Sequence, residues 1–449
     1  MGEEYLMKIL FISDYYPPHI NGGAEISTSL LARWFFERGH SVAVACSQFA
    51  DTPWVDNGIT VYPVIFKPSV RPKNIVSAMM SGLTLVVLQI RSAVRVLRLM
   101  RELQPDIVNI VPSSYRFVPV IIGIRMFSKC PVVVDCRDYS LVCPAHLSPS
   151  FLDAKKDFDE TTQTHHGYRC IGYTSVNDPT FLSIRPFALY ESIMFNVYKS
   201  ALRFLVNHFS RIQLVAVSKF VQGQLILNGF KEEKTTTIYN ISQSIEPMRQ
   251  GVESSIPTFA FAGRVERDKG VWDLIAAIET LQRESPKPFA VQIAGTGGEF
   301  DNLDAYIKEH DLTCVTLLGY VTLSEVLGLY AKSLAIIAPS RWPEPFGRFI
   351  LESISVGKPI IATRSGGISE NIEQGVTGFL VDVGNVEQLA GAMKYLIEYP
   401  EQSHTMREAI IERQKYYKAD FIGSQRFILY QDLLQVSLQR SEKNVKVIA

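Results

Sequence analysis

The stretch "PSRWPEPFGRFILESISVGKPIIATRSGGISE", Pro339 to Glu370, decides the fold. Pro343, Pro345 and Gly347 punctuate a loop, "RFILESISVG" has the spacing of an amphipathic helix, and "KPIIAT" is an apolar run of strand length. With "LAIIAPS" before it, the order is strand, helix, strand. A short apolar strand followed by a helix and another such strand predicts a parallel sheet covered by helices.

The same rhythm runs through the chain. "KILFIS", "HSVAVAC", "DIVNIV" and "PVVVDC" read as buried strands, and "EISTSLLARWFFERG" as a helix closed by Gly39. "FAFAG", "FAVQIAGTGGE", "CVTLLGYV" and "TGFLVDVG" supply a second set, with "GVWDLIAAIETLQ" as a helix between them. The 449 residues exceed what one core serves, so the reading is α/β with two doubly wound domains. The pattern restarts at Ile212. The expected division is 1–212, 213–415 and a last helical segment, 416–449, with a linker around Gln243 to Glu253.

Composition excludes several classes. Lys plus Arg number 45 and Asp plus Glu 45, which disfavours a broad nucleic-acid surface. Six scattered cysteines without a CxxC pair do not make a disulfide scaffold. The opening "MGEEYLMKILFIS" is acidic and lacks the basic n-region of a signal peptide, so a cytoplasmic location is expected. Ile75 to Ile90 is free of charge for 16 residues, short of the ~20 that span a bilayer. Arg91, Arg95, Arg98 and Arg101 follow at helical spacing. A buried helix with a solvated arginine face is one reading. The other is peripheral contact of 75–101 with the cytoplasmic face of an anionic membrane.

Open α/β sheets hold ligands beyond the carboxyl ends of their strands. Gly22 and Gly23 follow the first strand and lead into a helix, where bare amides suit an anion. Arg264 and Lys269 flank a turn after "FAFAG", and two cations suit a diphosphate, although a solvated turn pairing with Glu266 and Asp268 accounts for them as well. Glu344 and Glu352, if spaced along a helix, lie about 12 Å apart, near the span from sugar to ribose in a nucleotide sugar. The long segment from Leu141 to Arg185 holds Cys143, His146, His165, His166 and Cys170, which could bind zinc but match no strong zinc spacing, so the reading preferred here is a loop with incidental Cys and His that meets the acceptor.

"GGAE", "GRVERDKG", "AGTGG", "EPFGRFILE" and "ATRSGGISENIEQGVTGFLV" resemble the hallmark segments of glycosyltransferase family 4, enzymes of the GT-B fold. The resemblance runs from Lys8 to about Tyr430 and is strongest between Phe259 and Asp382. It implies two Rossmann-like domains facing each other across a cleft, a final helix returning to the N-terminal domain, retention of anomeric configuration and no required metal. It implies a UDP- or GDP-sugar donor and a lipid-linked glycan, lipopolysaccharide or exopolysaccharide acceptor. Arg264 and Lys269 would neutralise the leaving diphosphate, and Glu352 would hold the ribose. Glu344, with the backbone of Phe346 and Gly347, would hold the sugar. Gly22, Gly23 and Gly295 would close on the donor.

One departure stands out. Relatives carry approximately "HDYW.LCP" where this chain reads "CRDYSLVCP". Arg137 takes the His position and Asp138 keeps the acid. Arg137 then either meets an anionic sugar or acceptor, or yields its role to another group such as His146, or marks weakened activity. A nucleotide-sugar epimerase of the same fold and a nucleotide-binding scaffold are the rival functions.

Overall fold

The computed structural model describes residues 6–19, 23–47, 49–66, 75–112, 117–142, 185–242, 256–284 and 287–448, with side chains omitted for 75–85, 185–194 and 437–448. The chain forms two compact units, Met1–Ile241 with Ile422–Ala449, and Ser242–Phe421.

The first unit carries strands β1 (Lys8–Ser13), β2 (Ser41–Ser47), β3 (Trp54–Asp56), β4 (Ile59–Ile65), β5 (Ile107–Val111), β6 (Val132–Cys136), β7 (Ile212–Ala216) and β8 (Thr235–Thr237). Their order is β3-β4-β2-β1-β5-β6-β7-β8, and only the edge pair β3–β4 is antiparallel. The apolar runs at β5 and β6 are buried throughout, as a two-sided parallel sheet requires. Helices α1 (Gly23–Glu37), α2 (Ile75–Leu103), α3 (Val118–Phe127), α4 (Arg185–His208) and α5 (Lys219–Leu227) belong to this unit. The restart at Ile212 is not a domain boundary. β7 pairs in register with β6, and β8 with β7, so the first unit continues to Ile241.

The second unit is a six-stranded, all-parallel sheet of β9 (Thr258–Ala262), β10 (Ala290–Ala294), β11 (Val315–Gly319), β12 (Ala335–Ala338), β13 (Ile360–Thr363) and β14 (Gly378–Val381), ordered β11-β10-β9-β12-β13-β14. Helices α6 (Val271–Glu284), α7 (Phe300–Glu309), α8 (Leu323–Lys332), α9 (Arg348–Val356), α10 (Val386–Glu398) and α11 (Glu401–Arg413) accompany it. Phe259, Leu274, Ile278, Ile293, Ile337 and Leu396 form its core. Each sheet builds outward in both directions from a central pair, β1/β5 in one and β9/β12 in the other. Open sheets of this kind take ligands outside the carboxyl ends of such a central pair.

The last helix, α12 (Ala419–Ile448), is clustered with the first unit from Ile422 onward. Tyr430 stacks on Phe35 of α1 at 5.2 Å, and its hydroxyl donates to Asn109 Oδ1 at 2.7 Å. Arg426 donates to Asp135 Oδ1 at 2.5 Å. A Cβ on Gly423 would lie 2.2 Å from the Trp34 indole, so only glycine lets α12 come this close. Gly423→Ala should therefore lower stability by about 1–3 kcal/mol through overpacking, read as a lower urea midpoint. An unchanged midpoint would show that Trp34 is free to move aside.

Candidate functional site

β9 ends at Ala262 and the chain turns through Gly263 and Arg264 into a 3₁₀ turn, Arg267–Lys269. Gly270 closes that turn with φ +72°, and a Cβ there would stand 1.8 Å from the Pro339 carbonyl oxygen. Pro339 follows β12. The loops from the two central strands therefore touch, and backbone hydrogen bonds fix the contact. Arg341 N and Trp342 N both donate to the Asp268 carbonyl, at 2.8 and 3.0 Å.

The loop from Pro343 to Pro345 is clamped from the other side by β13's exit. Gly367 N donates to the Glu344 carbonyl at 2.7 Å, and Thr363 Oγ1 donates to Ser340 O at 2.5 Å. Gly366 sits at φ +58°, where a Cβ would meet Glu344 O at 2.3 Å. Gly366 thus serves to admit the Glu344 loop.

Lys269 Nζ and Glu344 Oε1 form a hydrogen-bonded ion pair across this junction, with side chains 19% and 14% exposed. Arg264 donates to Asp268 Oδ2 at 3.0 Å but is 62% exposed, so its guanidinium is held at one edge and open to solvent. Phe346 is buried and meets Tyr417 edge-on at 6.0 Å, so its ring anchors the loop. Gly347 precedes α9 at φ +88° with no side chain capping the helix. Gly295 lies beside Gly263, where a Cβ would be 1.8 Å from the Gly263 carbonyl oxygen.

Glu344 and Glu352 do not ride one helix. α9 begins at Arg348, so Glu344 belongs to the loop and only the four steps from Arg348 to Glu352 follow helical rise, about 6 Å. Burial pushes the Glu352 carboxyl above its usual range, and Arg348, with Nε 3.8 Å away, only partly offsets this. Burial, then the charge of Glu352, raises the Tyr330 phenol well above its usual value. Among the described residues its hydroxyl has no hydrogen-bond partner.

In the first unit, Gly22 and the 143–170 Cys/His positions, His146 included, lie outside the described residues. Gly23 opens α1, and Glu25 in its first turn is buried. Arg137 is 10% exposed and already engaged, with NH1 donating to Asn240 Oδ1 at 2.7 Å and NH2 to Asp135 Oδ2 at 3.1 Å. Asp138 Oδ1 accepts from Ser140 N at 2.8 Å, bracing its own turn. Burial alone would raise the Asp135 carboxyl. Arg426 and Arg137 outweigh burial and hold it below its usual range.

Several contributors escape sequence reasoning. Asp273 accepts from Nε and Nη2 along one edge of the Arg341 guanidinium, Nε at 2.5 Å, although 68 positions separate them. Arg426 reaches Asp135 from 291 positions away. No local spacing signals such pairs. Tyr330 had a signal only as one aromatic on a helical stripe.

Two family models divide the chain. Glycosyltransferase Family 4 matches residues 21–241, and Glycosyl transferases group 1 matches residues 245–413. The chain belongs to glycosyltransferase family 4. An uncharacterized 42.6 kDa protein in the cps region of Klebsiella pneumoniae is 26% identical over 375 residues, 81% of this chain and 87% of that relative. HepE of Anabaena, crystallised with UDP, superposes with a TM-score of 0.64 at 21% identity, covering 95% of this chain and 100% of its own; another crystal structure of it holds UDP-glucose. The lipopolysaccharide outer core galactosyltransferase WaaB, in apo form, gives a TM-score of 0.60 at 17% identity over 96% of this chain and 99% of its own. These likenesses establish a GT-B fold of two Rossmann-like domains.

The raised Glu352 carboxyl sets a testable sign. Its folded pKa exceeds its unfolded one, so its contribution is fully present below the unfolded value, about 4.3, and is lost as pH rises through the folded value. Melting curves should show Glu352→Gln no more stable than the native chain near pH 4 and more stable at pH 8. The opposite trend would mean that Arg348 compensates the charge fully.

Proposed function

We propose that this glycosyltransferase moves a sugar from a nucleoside-diphosphate donor, a UDP-sugar before a GDP-sugar, to a lipid-linked glycan, lipopolysaccharide or exopolysaccharide acceptor, with retention of configuration and without a metal. The observation that carries the reading is the junction at β9 and β12. It gathers Arg264, Lys269 and Glu344 beyond two adjacent strand ends, with Glu352 on the helix that follows. HepE and its bound UDP-glucose favour uridine. The cps-region relative and WaaB favour a surface-polysaccharide acceptor.

The chemistry follows from charge. Breaking the bond between the sugar's anomeric carbon and the diphosphate leaves negative charge on phosphate oxygens. Preorganised cations stabilise that charge without reorganising during the step. Arg264 and Lys269 supply them. Asp268 and Glu344 already hold these cations, so an anion must compete for them, and a diphosphate competes better than a singly charged group. Glu344 then accepts from sugar hydroxyls and Glu352 from the ribose. Arg137 and Asp138 are the proposed site residues of the first unit, and the Arg137 guanidinium is already held there by Asn240 and Asp135.

Among the described residues, no helix is long and apolar enough to cross a membrane. α2 nevertheless exposes Val87, Ile90 and Val94 along one stripe, beside exposed Arg91 and Arg98. We read this stripe as a contact with the anionic cytoplasmic membrane surface, where a lipid-linked acceptor would be met. Arg91 and Arg95 are not wholly solvated, since both guanidiniums lie over the Phe66 ring, at 4.8 and 4.1 Å.

UDP at a hundred times its Kd should raise stability by about 2.7 kcal/mol in a thermal-shift assay. Arg264→Ala and Glu352→Ala should abolish most of that gain. No response to UDP, GDP or their sugars would overturn the donor reading. In flotation with phosphatidylglycerol vesicles, Ile90→Glu with Val94→Glu should leave the protein in solution while the native chain floats. Equal flotation of both would remove α2 from the membrane contact.

A further inference from the structure

The carboxyl ends of β1 and β2 bring four rings together in the first unit. Phe49 stacks on Tyr15 at 5.3 Å and on His19 at 4.5 Å, and Trp54 meets His19 edge-on at 6.4 Å. The loops that carry them are tied to one another. Ser47 N donates to Asp14 O at 3.2 Å, Ser47 Oγ to Asp14 Oδ1 at 3.2 Å, and Trp54 Nε1 to Pro17 O at 3.3 Å. A turn from Tyr16 to His19, closed by His19 N on Tyr16 O at 2.9 Å, brings His19 back beside Tyr15, which precedes it. Despite this support the cluster is not core. Phe49 is 38% exposed, His19 is exposed, and Tyr15 and Trp54 are half-buried.

A run of rings left partly in water by an otherwise well-packed unit marks a recognition surface, all the more at the ligand-bearing ends of strands. Its charge decides the kind of ligand. Segments 14–23 and 47–58 contain no Lys or Arg, whereas Asp14, Asp51 and Asp56 lie within them. An acidic flank repels phosphate and anionic lipid. It suits a neutral ring with one apolar C–H face to lie against an aromatic plane and a rim of hydroxyls to donate to carboxylates.

We propose that Tyr15, His19, Phe49 and Trp54, with Asp14 and Asp56 at their rim, form the platform on which an uncharged pyranose of the acceptor is stacked. The inference rests on the glycosyltransferase reading and adds the acceptor's chemistry to it. The reducing-end lipid or diphosphate of a lipid-linked acceptor would then lie away from these rings, and the sugar to be extended would lie against them.

Saturation-transfer NMR on the full chain, with UDP present, tests this with methyl β-glucopyranoside, methyl β-galactopyranoside and methyl α-mannopyranoside as probes. At least one should receive saturation on its C–H face. Phe49→Ala and His19→Ala should each weaken that transfer about three- to tenfold, the worth of one ring contact. UDP signals and flotation on phosphatidylglycerol vesicles should stay unchanged in both variants. The platform is overturned if no glycoside is saturated, or if saturation persists in both variants. Loss of vesicle binding in Phe49→Ala would overturn it too, in favour of a lipid contact. Failure of UDP itself to receive saturation would instead count against the donor reading, so the two are separately exposed to refutation.

Discussion

The second unit depends on one carbonyl. The oxygen of Asp268 accepts from two successive amides, Arg341 and Trp342, and so joins the loops that leave β9 and β12. Those strands are neighbours because the sheet changes its direction of growth between them. Gly270 makes the joint possible, since any side chain there would enter the Pro339 carbonyl. With the joint made, Lys269 and Glu344 meet although 75 positions separate them. Geometry held this way by backbone costs little reorganisation when a ligand arrives, which is where much catalytic advantage originates.

The first unit holds itself together by a different device. Asp135, at the end of β6, is shared by two guanidiniums, one from Arg137 beside it and one from Arg426 on the last helix. Buried charges of this kind add little net stability against an apolar replacement, but removing one partner strands the other. The last helix is thereby tied to the strand end that precedes Arg137 and Asp138. Arg137 accordingly has partners of its own.

Much of this was legible in the sequence because parallel sheets impose local signatures. Buried strands such as β5 and β6 read as unbroken apolar runs, and loops at strand ends concentrate Gly, Pro and charge. Arg264, Lys269 and Glu344 could be picked out since each lies just after a strand. What was not legible depends on distance or on packing. The restart at Ile212 looked like a new domain because a strand pattern does not say which sheet it joins. The spacing of Glu344 and Glu352 suggested one helix because two prolines and a glycine mark a loop without saying where helix begins. Gly366 stands in a hallmark segment, yet nothing local says that its missing side chain admits the Glu344 backbone. Arg341–Asp273 and Arg426–Asp135 join residues from different elements, and no periodicity links them.

A crystal structure of the full chain with UDP bound is the most direct measurement. The diphosphate should lie against Arg264 and Lys269 at the ends of β9 and β12, with the ribose hydroxyls on Glu352 and the Lys269–Glu344 pair loosened or shared. A nucleotide bound elsewhere, or a diphosphate that leaves both cations on their carboxylates and makes no contact with them, would contradict the assignment of this junction as the donor site.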